Sequence, residues 1–247
     1  MLFVNPVPGH QIKLLYIMGA TWHTKCMFDL DTTDASFAKL LNQQGIETYA
    51  MDIVGTGPSV KRYVIGNQYQ ATIDCLSYVI KHYNIDYVMG YSTGCAMVAD
   101  LTQHHQFKKI VLLDPQSRTQ VNRVLVDNDK YIIDKSAVHT ALIENNTTVD
   151  ADTAQDHIAA LSHSDQLVTA AWPMLGHYLK RFDDAQYVDR LISKQPTRAF
   201  FTKHSLENTR INFEKCGVYW PHISHWALLE PSRKDLANAV VEFLKHE

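Results

Sequence analysis

The chain has 247 residues, 46% of them hydrophobic, enough for one sizeable core, and α/β domains routinely reach this length as single units. Its 23 basic against 26 acidic side chains leave a net charge of −3 with no long basic run, which argues against a nucleic-acid patch. No apolar run approaches the roughly 20 residues that span a bilayer, and Met1-Leu-Phe-Val-Asn-Pro carries no basic region leading into a long apolar stretch, so a soluble cytoplasmic protein without a signal peptide is expected.

In chain order, Lys13–Met18 is an apolar run stopped by Gly19, the pattern of a strand buried on both faces. Residues 32–44 read as a helix with Phe37, Leu40 and Leu41 on one side and Gly45 as its stop. Ile46–Met51 is the next strand, followed by Asp52-Ile-Val-Gly55-Thr-Gly57-Pro-Ser59. Asn67–Tyr83 carries Ile73, Leu76, Val79, Ile80 and Tyr83 at helical spacing. A short strand through Tyr87, Val88 and Met89 then runs into Gly90-Tyr91-Ser92-Thr93-Gly94, with a helix from Thr93 to about Gln103. Lys109–Leu113 is a strand ending at Asp114-Pro115. This alternation predicts a parallel sheet with crossover helices.

The regularity breaks between Gln116 and Gln195. Helical patches stand at Val138–Ile143, Ala154–Leu161, Gln166–Leu175 and Tyr187–Ile192, without a clear strand. So long an insertion in a compact domain needs its own structure. A mostly helical cap over residues 116–195 is expected, inserted into a core formed by 1–115 and 196–247. Arg198–Thr202 and Gly217–Trp220 restore the sheet, and a last helix turns Leu236, Val240, Val241 and Leu244 inward.

The chemistry concentrates at Gly90-x-Ser92-x-Gly94. Between a strand and a helix this spacing forms a nucleophile elbow, a turn so sharp that the serine is strained and the flanking positions have no room for side chains. The hydroxyl then stands clear of the sheet, with a helix N-terminus behind it that suits an oxyanion. A serine needs a base, and histidine fits that task near neutrality. His225 occupies the expected place, after the last strand and before the final helix, in Ser224-His225-Trp226-Ala-Leu-Leu-Glu230-Pro231.

Gly90–Gly94, the Asp52–Ser59 loop and His225 with its trailing Glu230-Pro231, in this order, resemble the α/β-hydrolase superfamily. The resemblance spans nearly the whole chain apart from the insertion. It implies a mostly parallel sheet flanked by helices, with Ser92 as nucleophile and His225 as base. It also implies an oxyanion hole from the backbone N–H groups of Thr93 and Ala20, with Thr21 the alternative to Ala20. Two departures stand out. Met18 replaces the histidine usual before Gly19, and the Gly-x-x-Asp usual after the cap is missing from Thr202-Lys-His-Ser205-Leu-Glu207. The acid is therefore Asp114, where thioesterase domains and certain lipases carry it, or Glu207.

The remaining candidates have plainer readings. Asp52 holds the Gly55–Gly57 turn. His222 is a decoy or pocket residue, and Cys95 packs the elbow helix. Trp22, Trp172 and Met174 line an acyl pocket or belong to the core. Gly55-Thr-Gly57 lacks the lysine of a phosphate loop, the thirteen histidines are scattered, and the four cysteines read as buried reduced thiols, so neither metal nor organic cofactor is expected. The expected function is hydrolysis of a small or medium carboxylic ester or thioester. The alternatives are a thioesterase or acyltransferase for carrier-bound acyl groups, and a binding protein that has lost catalysis. Substrate identity and oligomeric state are not encoded in any motif.

Overall fold

The computed structural model describes residues 1–9, 12–19, 23–30, 36–54, 68–115, 124–127, 130–133, 149–161, 166–168, 194–202, 216–221 and 223–246. The main sheet takes β1 (Leu2–Asn5), β2 (Ile12–Ile17), β3 (Ile46–Met51), β4 (Tyr87–Tyr91), β5 (Lys109–Leu113), β9 (Thr197–Phe201) and β10 (Gly217–Tyr219). Its spatial order is β1-β3-β2-β4-β5-β9-β10. Every pairing is parallel except β1 with β3, which runs antiparallel at the edge. Because β2 is flanked by both β3 and β4, the chain reverses its direction of winding there. The crevice at the carboxyl ends of such strands is where open α/β sheets bind ligands.

Both faces of the sheet are covered, so the central strands read as continuous apolar runs. Alternation sorts their side chains: Leu14, Tyr16, Met89, Tyr91, Val111 and Leu113 share one core with α1 (Thr24–Met27), α2 (Phe37–Gln43) and the last helix, Arg233–His246. Leu15, Ile17, Val88, Ile110 and Leu112 face the opposite way, against α3 (Gln68–Tyr83) and α4 (Gly94–Leu101). The helices end where their chemistry dictates. Ser36 caps α2 by accepting the Lys39 N–H at 3.2 Å, and Gly45 beyond it holds φ +81°.

The inserted segment departs from the expectation. A three-stranded antiparallel sheet, β6 (Val124–Asp127), β7 (Lys130–Ile133) and β8 (Gln166–Val168), lies where helical patches alone were read. Residues 166–168, expected to begin a helix, are strand. Each strand has only three or four residues, too few for a period-2 pattern to declare itself. The expected helix at Ala154–Leu161 is present as α5 (Ala151–Leu161), while the patches at Val138–Ile143 and Tyr187–Ile192 fall outside the described residues. The final helix, Arg233–His246, is α6. Among the described residues no helix is long and apolar enough to cross a membrane. All four cysteines are free, but Cys75 is exposed on α3, so the reading of four buried thiols holds only for Cys26, Cys95 and Cys216.

Helix α5 is fastened to the core through His157. Asp150 caps the helix, its two carboxylate oxygens accepting the Thr153 N–H and hydroxyl, each at 2.8 Å. One turn on, the fully buried His157 donates Nδ1–H to the Cys26 carbonyl of α1 and sets its ring edge-on to Trp226, centroids 5.6 Å apart. Burial pushes this imidazole down to about 4; the Cys26 carbonyl opposes the fall and the nearby His23 adds to it. An unfolded histidine takes its proton near pH 6.5. The unfolded chain therefore binds more protons below that pH. The His157 contribution is complete above pH 6.5 and is lost as the pH falls toward 4, by on the order of 3 kcal/mol. Thermal unfolding from pH 7.5 to 4.5 should fall less steeply for His157→Gln than for the unsubstituted protein; parallel slopes would refute this account.

Candidate active site

The elbow is forced by contacts at its glycines. A Cβ on Gly90 would stand 2.8 Å from the Cys95 backbone, and one on Gly94 would stand 2.3 Å from the Ile17 carbonyl oxygen. No side chain fits at either position, so α4 approaches β4 and the end of β2 as closely as backbone permits. Between them Ser92 is held at φ +53° and is nearly buried. A non-glycine residue in that region carries strain of about 1–3 kcal/mol, sustained by the surrounding packing. The Ser92 N–H donates to the Leu113 carbonyl at 2.9 Å, and the Ser92 carbonyl accepts the Cys95 N–H at 3.1 Å, which starts α4. Thr93 is the N-cap of α4, so the positive end of the helix dipole lies directly behind the serine.

The end of β2 reaches the same point. A Cβ on Gly19 would meet the Ser92 Cβ at 2.9 Å and its Oγ at 3.4 Å. Gly19 itself thus stands directly against the serine, and Met18 before it is fully buried in the core. The expected donor Ala20, its alternative Thr21, and Trp22 lie outside the described residues.

Asp114 follows β5 at the neighbouring strand end, fully buried, with φ +44°. Its Oδ1 accepts two hydrogen bonds from Thr202 at the end of β9, from the N–H at 3.0 Å and the hydroxyl at 2.8 Å. Its Oδ2 accepts the Nδ1–H of His225. One carboxylate oxygen is thereby held by Thr202 and the other is turned to the imidazole. The rival Glu207 lies outside the described residues, as do His222, Gly55–Gly57, Trp172 and Met174.

His225 sits on a loop that is itself tied down. The buried Glu230 accepts the Ser224 N–H at 3.3 Å on both oxygens, and the Ser224 hydroxyl accepts the Trp226 N–H at 3.0 Å. The Arg233 guanidinium closes the turn on the Leu229 and Glu230 carbonyls at 3.1 and 3.0 Å. From the sheet side, the fully buried Tyr91 stacks on the His225 ring and donates its hydroxyl to the His225 carbonyl.

Thr202, Tyr91 and Glu230 as supports were not foreseen from sequence. Alternation along β4 was the available signal for Tyr91, since it puts that side chain on the α6 face from which the His225 loop emerges. Cys95 packs: its Sγ bonds the Gly90 carbonyl at 3.2 Å, and burial pushes the thiol well above its ordinary pKa, away from any nucleophilic thiolate. Asp52 makes a structural contact with α1, while the Gly55–Gly57 turn it was expected to hold lies outside the described residues. The Asp52 Oδ1 accepts the Thr24 N–H at 2.8 Å and so starts α1.

A family profile described as serine aminopeptidase, S33, matches residues 31–180, more than half of the chain and including both Ser92 and Asp114. The chain belongs to this α/β-hydrolase family. Solved structures agree on the fold of the S33-type chain. A monoacylglycerol lipase from Paleococcus ferrophilus superposes with a TM-score of 0.63 at 13% identity, covering 99% of this chain and 97% of the other. A carboxylesterase structure from the thaumarchaeon Nitrososphaera gargenis gives 0.61 at 14%, covering 98% and 93%. The NocB thioesterase domain, solved as a covalent complex with a fluorophosphonate nocardicin G analogue, gives 0.53 at 13%, covering 99% and 100%. No curated protein matches the chain by sequence.

Proposed function

We propose that the protein is a serine hydrolase that cleaves a small or medium carboxylic ester or thioester through an acyl-enzyme on Ser92. The observation that carries the reading is the bond between His225 Nδ1 and Asp114, made at the carboxyl ends of the central strands, where the strained Ser92 elbow also stands. With Nδ1 committed to the carboxylate, Nε2 is the nitrogen left to take the serine proton. Ser92 Oγ then attacks the acyl carbon, and the imidazolium returns the proton to the leaving alcohol or thiol. Water, deprotonated by the same histidine, releases the acid. The backbone N–H groups of Thr93 and Ala20 serve as oxyanion donors, worth a few kcal/mol each because they act on charge that develops only in the transition state. Residues 116–195 form the cap that selects the acyl group and excludes bulk water.

A thioesterase or acyltransferase for carrier-bound acyl groups is the second reading. The carboxylate at the end of β5 favours it. Turnover of 4-nitrophenyl butyrate and of the butyryl thioester of N-acetylcysteamine, each corrected for a Ser92→Ala protein, tests both. Ser92-dependent turnover of either supports the proposal. Thioester kcat/KM at least tenfold above that of the oxygen ester selects the second reading, and no Ser92-dependent turnover of any ester would leave a binding protein.

A further inference from the structure

We propose that Tyr91 is the positioning residue of the base, holding His225 in register with Ser92 from within the elbow itself. The inference rests on the serine-hydrolase reading and names a component that reading lacks.

Tyr91 is the last residue of β4 and is fully buried, on the sheet face covered by α6. A buried phenol hydroxyl requires an acceptor. Here it is the main-chain carbonyl of His225, 134 residues further along the chain. Phenylalanine would fill the same space, so what the hydroxyl adds is a tie to the loop that carries the base. The ring adds a second hold. Its centroid lies 5.1 Å from that of the imidazole, with the planes 20° apart, a stacked arrangement. When His225 takes the serine proton it becomes a cation over an aromatic face, inside the roughly 6 Å within which that face attracts positive charge.

Asp114 fixes the edge of the imidazole, whereas Tyr91 fixes its plane and the backbone behind it. Since Tyr91 and Ser92 are adjacent in a turn that admits no side chain at either flanking glycine, nucleophile and base are referenced to one rigid unit. A displacement of about 1 Å between reacting groups lowers rates by about a hundredfold. Tyr91 therefore acts on kcat, through His225, without touching substrate.

The test compares Tyr91→Phe, which removes one oxygen, with Tyr91→Leu, which removes the aromatic face as well. Steady-state kinetics on 4-nitrophenyl butyrate are normalised to folded protein by circular dichroism. The expected result for Tyr91→Phe is a kcat about tenfold lower with KM within twofold and the thermal midpoint within a few degrees of the parent. Tyr91→Leu should lose about a hundredfold in kcat per folded molecule. A merely structural tyrosine would lower the midpoint and leave kcat per folded molecule unchanged in both proteins, which would overturn the proposal. Absence of Ser92-dependent turnover in the unsubstituted protein would refute the hydrolase reading, and this proposal with it. That outcome is distinguishable because it appears before any change at Tyr91.

Discussion

Asp114→Asn should lower kcat about 10³- to 10⁴-fold while the protein stays folded and KM changes little. The direction follows from the Thr202 donors. Oδ1 accepts the Thr202 N–H, a donor that cannot reverse its role, so an asparagine at 114 must keep its carbonyl oxygen there. Its amide NH2 then replaces Oδ2 and points a donor at His225 Nδ1. The imidazole answers by accepting at Nδ1 and carrying its proton on Nε2, the tautomer that cannot take the serine proton. Losses of this size accompany the equivalent tautomer error in serine proteases. Glu207→Gln should retain turnover within about threefold. The opposite pair of results would move the acid to Glu207.

Ser92→Ala should abolish turnover, by at least about 10⁴-fold in kcat, with circular dichroism and thermal midpoint nearly unchanged. Removing the hydroxyl leaves the other elements of the site in place. The His225–Asp114 bond, the Tyr91 stack and the α4 N-terminus do not depend on Oγ. The fold tolerates the change because the main chain at 92 makes the structural contacts, donating to Leu113 and accepting from Cys95. A Ser92→Ala protein that kept a tenth of the parent kcat would show that the elbow serine is not the nucleophile.

The effects of the two changes should not be additive. Once Ser92 is gone, Asp114→Asn should add little, since the carboxylate acts through the serine's base.

What the sequence disclosed tracks how much local physics specifies each element. Strands β2 to β5 are buried on both faces, so apolar runs such as Leu14–Ile17 and Ile110–Leu113 announce β2, β3 and β5 within a residue of their observed ends. Strand β4 continues two residues past Met89, through the elbow glycine. The elbow is legible for a related reason: its two glycines, Gly90 and Gly94, are demanded by backbone contact. Edge strand β1 was missed because Leu2–Asn5 is short and only partly buried, held by antiparallel pairing to β3. Helix α1 has four residues, and its start depends on the distant Asp52.

From sequence, Asp114 and Glu207 both follow sheet strands and both stay open as the acid. The contacts of Asp114 with His225 and Thr202 follow from β5 and β9 being neighbours. Strand order is a long-range outcome that no local pattern carries. The Glu230-Pro231 pair was read as a motif without a cause. Its cause is the Ser224 N–H, which the buried carboxylate holds beside His225, whose ring meets Asp114 and Tyr91.

The most direct test of a Ser92-centred hydrolase is covalent trapping. Folded protein treated with an alkyl fluorophosphonate, digested and mapped by mass spectrometry, should carry one phosphonyl group per chain, on Ser92. The adduct should form much more slowly in Asp114→Asn. No adduct on the folded protein, or an adduct on any residue other than Ser92, would contradict the account.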